Sequence, residues 1–156
     1  MINNKIKISI ITVSYNSAKT IKDTIESILS QDYSNIEYII IDGGSTDGTL
    51  EIVKKYADKI SYFVSELDEG IYDGMNKGIK AATGDVIGIL NSDDVYPNSY
   101  VISNVAKTFV NQECDAVYGD LVYVKENNTK KITRYWQAGK YTTTRIKNGW
   151  MLPHPT

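Results

Sequence analysis

Val86-Ile87-Gly88-Ile89-Leu90-Asn91-Ser92-Asp93-Asp94 joins a short apolar run to an acidic pair. Five apolar residues bounded by a turn read as a buried strand, so the two carboxylates stand at its carboxyl end, where open α/β sheets bind their ligands. Adjacent carboxylates repel unless a proton or a cation lies between them. Hard oxygen donors of this kind suit magnesium or manganese, which then bridge to substrate phosphates. The competing reading is a helix start, with Asp93 or Asp94 capping a segment that begins near Pro97 or Asn98. Asn91-Ser92-Asp93-Asp94 by themselves leave both readings open.

Outward from this stretch the pattern alternates. Ile6-Lys7-Ile8-Ser9-Ile10-Ile11-Thr12-Val13 reads as a strand ending at Ser14-Tyr15-Asn16, after which Ile21, Thr24, Ile25, Ile28 and Leu29 recur at helical spacing. Tyr38-Ile39-Ile40-Ile41 is the next strand, broken by Asp42-Gly43-Gly44-Ser45-Thr46-Asp47-Gly48 and followed by helical spacing at Leu50, Ile52, Val53 and Tyr56. Residues 60–64 predict a third strand, and residues 72–82 a third helix ended by Gly84. Such alternation predicts an α/β fold with a mostly parallel sheet flanked by helices. Past the acidic pair the rhythm changes to a helix over 99–110, a strand over 116–124 and a returning strand over 131–136 across the turn Glu126-Asn127-Asn128-Thr129. This adds a small antiparallel hairpin. Residues 137–149 show no clear period, and 140–145 read either as a loop over a substrate cleft or as a mobile segment. No repeat or linker divides the chain, so residues 1–156 read as a single domain with a sizeable core.

Composition removes several function classes. A formal net charge of −2 with mixed Lys and Glu gives no basic stripe to track a nucleic-acid backbone, so nucleic acid is not expected as a partner. Cys114 is the only cysteine, which excludes an intrachain disulfide and a zinc site of paired cysteines and fits the cytoplasm. Met1-Ile2-Asn3-Asn4-Lys5 lacks the apolar core and cleavage site of a signal peptide, and no stretch approaches the roughly 20 apolar residues of a membrane span.

Several familiar motifs fail. Residues 43–49 have the glycine spacing of a phosphate-binding loop but offer Thr49 where lysine is required, and Gly43-Gly44-Ser45 breaks the dinucleotide pattern at its third position. As a calcium loop the segment fails at Gly44 and Thr46. A Ser-His-Asp triad would have to use His154, the sole histidine, in a proline-rich tail. Asn127-Asn128-Thr129 matches a glycosylation sequon, which matters only in a secreted protein.

What remains is a set of polar groups at successive strand ends, all opening on one edge of a parallel sheet. Tyr15 could stack on a base, Asp42 could accept a hydrogen bond from base or ribose, and Asp93 with Asp94 could hold a cation against a diphosphate. Each has an ordinary reading as well: Asn16 or Ser17 as a helix cap, Asp42 and Asp47 as turn and cap residues, Tyr15 as a rim aromatic. Jointly they describe a nucleotide-diphosphate site.

Four ordered motifs then carry a resemblance. Thr12-Val13-Ser14-Tyr15-Asn16, Asp42-Gly43-Gly44-Ser45-Thr46-Asp47-Gly48-Thr49, Asp68-Glu69-Gly70-Ile71-Tyr72-Asp73-Gly74-Met75-Asn76-Lys77-Gly78 and Asn91-Ser92-Asp93-Asp94 resemble those of family 2 glycosyltransferases with the GT-A fold. The resemblance implies a GT-A-like, Rossmann-type sheet and transfer of a sugar from a nucleotide donor, a UDP-sugar favoured, with inversion at the anomeric carbon. It implies nucleotide binding by Ser14, Tyr15, Asn16, Asp42, Asp68, Lys77, Asn91 and Asp93, and manganese or magnesium held by Asp93 and Asp94. Two departures stand out. Asn91 takes the place where the acidic motif often begins with Asp, and Met75 precedes Asn76 where an Arg is common, leaving Lys77 as the available cation.

The chemistry asks for two things. Charge developing on the leaving diphosphate must be stabilised, and a general base must take the proton of the acceptor hydroxyl. In proteins that this chain resembles the base lies well after the metal motif, so it is expected beyond Thr156, with the chain an N-terminal piece truncated at the acceptor side. Asp115 and Asp120 are weaker substitutes. The acceptor implied is a saccharide or a lipid-linked saccharide of a polysaccharide pathway, met in the cytoplasm or at the inner membrane face through peripheral contact. The alternative is a non-catalytic domain that binds nucleotide, or only packs against a partner, and lacks the base.

Overall fold

The computed structural model describes residues 6–125 and 128–151. Its elements are β1 (Ile8–Ser14), α1 (Ile21–Leu29), β2 (Ile36–Asp42), α2 (Thr49–Lys54), β3 (Tyr62–Ser65), α3 (Ile71–Ala81), β4 (Val86–Ile89), α4 (Val101–Asn111), β5 (Leu121–Lys125), β6 (Asn128–Trp136) and α5 (Thr143–Lys147), with a 3₁₀ turn at Ala57–Lys59. Contacts group them into two units, Met1–Glu113 and Cys114–Thr156.

The first unit is built on a sheet of order β3-β2-β1-β4 in which every neighbouring pair is parallel. All seven residues of β1 are buried, because a central parallel strand is covered on both faces. Alternation sends Ile8 and Ile10 into a core with Ile21, Ile25 and Ile28 of α1, Val53 of α2 and Ile102 and Ala106 of α4. The other face carries Ile11, Val13, Ile39 and Ile41, which pack with Met75 and Ala81 of α3. Gly74 and Gly78, one helical turn apart, let α3 come close. A Cβ on Gly78 would collide with Ile11, and one on Gly74 would lie 3.1 Å from Val13 Cγ1. Two helix-weakening glycines are therefore kept for packing.

Both ends of this sheet are polar. Register places Ser14 beside Asp42 and Asp42 beside Ser65, so three polar side chains line the carboxyl edge. At the amino edge Glu37, paired with Ser9 across β1 and β2, accepts from Lys7 Nζ, Ser9 Oγ (2.6 Å), Thr83 N (2.7 Å) and Thr83 Oγ1 (2.6 Å). Burial pushes its carboxyl up, but the hydrogen bonds from Lys7, Ser9 and Thr83 outweigh burial and hold the pKa down at about 2. Ser9 Oγ also accepts from Gly84 N (2.9 Å), and Asp85 Oδ2 accepts from Lys7 N (2.7 Å). The connection from α3 to β4 is thereby fastened to β1 and β2.

In the second unit β5 and β6 form an antiparallel ribbon. Strand was expected over 116–124, but β5 begins only at Leu121. The preceding residues serve as braces: Tyr118 OH donates to Gly139 O (3.0 Å), and Asp120 accepts from Tyr135 OH (2.8 Å) and Ala138 N (2.8 Å). The segment that showed no period contains α5, whose five residues are too few to display one. Thr142 Oγ1 caps it by accepting from Arg145 N (3.2 Å). Of the expected turn, residues 126–127 lie outside the described residues, as do the sequon's Asn127 and the tail with His154. Among the described residues, no helix is long and apolar enough to cross a membrane.

Candidate functional site

The carboxyl edge of the parallel sheet gathers three loops. Asp42, fully buried, is their centre. Its Oδ1 accepts from Ser14 Oγ (2.9 Å) and Ser45 Oγ, and its Oδ2 from Gly44 N (3.1 Å), Ser45 N (2.9 Å) and Ser65 Oγ (2.7 Å). Burial raises this carboxyl, but the hydrogen bonds from Ser45, Ser65 and Ser14 outweigh it and leave the group below the ordinary Asp range. Gly44 reaches the carboxylate with φ +83°, a conformation glycine adopts without strain.

The loop after β1 is tied to the loop after β2. Asn16 N donates to Ser45 Oγ (2.8 Å), and Asn16 Oδ1 accepts from Thr46 N (2.9 Å) with Asn16 itself at φ +50°. Asp47 accepts from Ala18 N (2.9 Å), Thr49 N (3.1 Å) and Thr49 Oγ1, while Ser17 N donates to Thr49 Oγ1 (2.8 Å). Neither Asn16 nor Ser17 caps a helix, since α1 begins at Ile21 with Thr20 ahead of it. Tyr15 projects beside this lattice with 66% of its surface exposed, the geometry of a ring available for stacking.

The acidic turn joins the same lattice through Ser92, whose hydroxyl lies 2.7 Å from that of Ser17. Asp94 N closes the turn on Asn91 O (3.0 Å), Asn91 Nδ2 lies 3.4 Å from Asp94 Oδ2, and Asp93 is exposed. The helix-start reading fails here. Helix α4 starts at Val101, and the carboxamide of Asn98, not Asp93 or Asp94, accepts from the amide of Tyr100 (3.1 Å). Asn91 Oδ1 is a buried acceptor that no donor in the described structure reaches. Among the described residues no three His, Cys, Asp or Glu side chains gather tightly enough to hold a metal by themselves. An adjacent carboxylate pair with an orphaned amide oxygen suits a divalent cation that takes its remaining ligands from water and phosphate, as magnesium does.

The loop after β3 brings two further candidates to this edge. The Asp68 carboxylate fits against Gly43 and Gly74, where a Cβ would come within 2.7 Å and 3.3 Å of Asp68 Oδ2, and Asp68 Oδ1 accepts from Gly70 N (2.9 Å). Lys77 Nζ is held by Glu66 Oε1 (2.9 Å), Asp73 Oδ2 (3.2 Å) and Leu67 O (3.2 Å). These partners keep the Lys77 ammonium charged: the hydrogen bond to Glu66 does most to raise its pKa. The weaker base candidate Asp120 is engaged by Tyr135 and Ala138, as described above.

The profile described as Glycosyl transferase family 2 matches residues 9–155. The chain belongs to this family. One relative, the PGL/p-HBAD biosynthesis glycosyltransferase of Mycobacterium tuberculosis, is 33% identical over 123 residues, or 76% of this chain and 48% of that protein. S. aureus TarS 1-349, solved in complex with UDP-GlcNAc, superposes with a TM-score of 0.64 at 30% identity over 70% of this chain and 32% of its own. The mannosyltransferase PcManGT from Pyrobaculum calidifontis, solved with GDP-Man and Mn2+, gives 0.63 at 26% identity over 79% and 36%. The chain matches between about a third and a half of the length of its curated relatives. The expected GT-A-like sheet with an antiparallel hairpin is the architecture found. In this family 2 chain, reading the sequence missed Ser17, Ser45, Ser65 and Ser92 as ties between loops. Their signal is only that each sits at or just after the carboxyl end of an apolar strand.

Proposed function

We propose that the protein of which this chain is part is an inverting glycosyltransferase that moves a hexosyl or N-acetylhexosaminyl group from a nucleotide-diphosphate donor, a UDP-sugar favoured, to a saccharide or lipid-linked acceptor in polysaccharide biosynthesis. One observation carries the reading: the loops 14–17, 42–49 and 91–94 meet at one sheet edge and are hydrogen-bonded into a single frame around exposed Tyr15 and Asp93. The UDP-GlcNAc seen with TarS and the GDP-Man and Mn2+ seen with PcManGT support it.

Within this reading Tyr15 stacks on the base, and Ser14 and Asn16 shape the nucleoside seat. Asp42 acts through the loops it braces, because its own oxygens are already engaged. Asn91 makes an amide contact to the ribose, and Asp93 and Asp94 are the residues that would hold manganese or magnesium. Bound there, the cation supplies Lewis-acid stabilisation of charge on the leaving diphosphate. Asp68 belongs to the nucleotide-binding group, and Lys77 adds positive potential at the same edge while it fixes the loop 66–70. The general base belongs to the length that the relatives have beyond the matched stretch. The protein works in the cytoplasm, at the inner membrane face when its acceptor is lipid-linked.

The test is calorimetric titration of UDP into this chain with and without manganese, repeated on Asp93→Ala and Asp94→Ala. Metal-dependent binding that either substitution removes is expected. Binding indifferent to metal and to both substitutions would refute the role of the acidic pair. Silence towards UDP, GDP and dTDP would turn the reading to a non-catalytic packing domain.

A further inference from the structure

The turn that carries Asp93 and Asp94 is fixed on both sides. Before it, Leu90 N donates to Ile11 O (2.9 Å), and the Leu90 side chain is buried. After it, residues 96–102 are strapped to the end of α1. Tyr96 N donates to Ser27 Oγ (3.2 Å), Gln31 Nε2 to Asn98 O (2.7 Å), Asp32 N to Ser99 O (2.7 Å) and Ile102 N to Gln31 Oε1 (3.1 Å). The Tyr96 ring packs against the core that α1 and α4 share.

Gln31 is the hub of this strap. Helix α1 ends at Leu29, and the Gln31 carboxamide folds back so that Nε2 also donates to Ser27 O (3.0 Å), one of the last carbonyls of α1. Its oxygen takes the amide of the second residue of α4, a helix whose preceding residue supplies no side-chain cap. One side chain thus closes the end of one helix and the start of another, and gives its remaining N–H to Asn98, just past the turn. A Glu in its place has the acceptor but neither donor. A brace for α4 alone needs only the bond from Ile102. The bonds to Asn98 O and from Tyr96 N fall instead on the stretch that leaves the acidic turn, so only residues 91–95 lie between these anchors and the one at Leu90, with the Ser17–Ser92 hydroxyl pair in their midst. Two carboxylates bind a cation best when their backbone is ordered beforehand, because ordering it at the moment of binding costs affinity. We infer that Gln31 is a positioning residue for the acidic turn: its carboxamide, remote in sequence, sets the backbone on which Asp93 and Asp94 stand. The inference rests on the reading that this pair holds a divalent cation.

The test is calorimetric titration of UDP into the 156-residue chain with and without manganese, for the parent, Asp94→Ala, Gln31→Met, Gln31→Glu and Val53→Ala, read as the ratio of the two UDP affinities. A lost hydrogen bond corresponds to roughly two- to tenfold, so Gln31→Met should lower the ratio by about that factor and leave metal-free affinity within about twofold. Gln31→Glu keeps the acceptor for Ile102 N, where a negative charge suits a helix start, and should hold a Tm near the parent's while its ratio falls as in Gln31→Met. Val53→Ala, a truncation of a buried residue on α2, should lower Tm and leave the ratio within about twofold. Without ligand, deuterium exchange at the Asp94 and Tyr96 amides should quicken in both Gln31 variants. Circular dichroism verifies folding, and Gln31→Glu carries the test alone if Gln31→Met does not fold. Metal dependence missing from the parent would remove the cation reading and this inference together. Metal dependence present in the parent, lost in Asp94→Ala and unchanged in Gln31→Glu would overturn the inference alone, as would unchanged exchange at both amides or a ratio that falls equally in Val53→Ala.

Discussion

Replacing Glu37 by Gln removes one charge from a nearly buried carboxylate, 11% exposed, at the amino edge of the sheet. Four donors converge on it, and they hold its pKa at about 2 against an ordinary 4.5. At about 1.4 kcal/mol per pH unit that depression corresponds to about 3 kcal/mol of stability. Lys7, its ionic partner, is 38% exposed, and solvent screening lowers the useful figure to about 2 kcal/mol. Because the folded-state pKa is depressed, this stability is fully present above pH 4.5 and is lost as pH falls towards 2. Urea unfolding at pH 7 should therefore show Glu37→Gln about 2 kcal/mol less stable than the parent, or roughly 5 °C lower in Tm. At pH 3, where the unfolded carboxyl is already protonated, the gap between the two proteins should narrow to under about 1 kcal/mol. A gap of equal size at both pH values, or one below about 0.5 kcal/mol at pH 7, would show that the network does not hold the α3–β4 connection in the way described.

Gly78→Ala forces a Cβ onto Ile11 and should cost about 1–3 kcal/mol in urea unfolding; Ile11→Ala should then cost less in that background than in the parent. Asp47→Ala removes the acceptor shared by Ala18 and Thr49, so both amides should exchange faster with deuterium, and UDP affinity should fall about tenfold. Unchanged exchange would show that the loops are held by other contacts. Lys77→Met should weaken UDP binding less than Asp94→Ala does, because the ammonium is already engaged by Glu66 and Asp73, and should loosen residues 66–70 by the same exchange measurement. A larger loss of affinity with Lys77→Met than with Asp94→Ala would make the lysine a direct phosphate ligand.

The parallel sheet was legible because each strand is a compact apolar run that stops at a polar residue, as Ile39-Ile40-Ile41 stops at Asp42 and Val86–Ile89 precedes Asn91. Strand ends of a parallel sheet share an edge, so the meeting place of Ser14, Asp42 and the acidic pair followed from topology alone. What connects them did not follow. Ser17 and Ser92 touch across a wide gap in sequence, and no periodicity marks a serine that pairs with a distant one. Asp42 was expected to face a nucleoside, yet the structure places it inward, because three strand ends each present a hydroxyl or amide to one carboxylate. Lys77 reads from sequence as a cation beside phosphates, and only the fold shows that Glu66 and Asp73 flank it. The charge difference between the two units was hidden in the whole-chain charge, since a net −6 over residues 1–113 and a net +4 over residues 114–156 nearly cancel.

The frame around Asp42 also bears on how fast a ligand is captured. Loops that wait for a ligand before ordering lose conformational entropy at the moment of binding, and the encounter slows while they close. Here Ser14, Gly44, Ser45 and Ser65 are fixed to one buried carboxylate, so that entropy is lost when the chain folds. A nucleotide bound as proposed would meet loops that are already ordered. Its association should then run near the rate of diffusion and orientation, leaving residence time as the quantity that the exposed turn at Asp93 can tune.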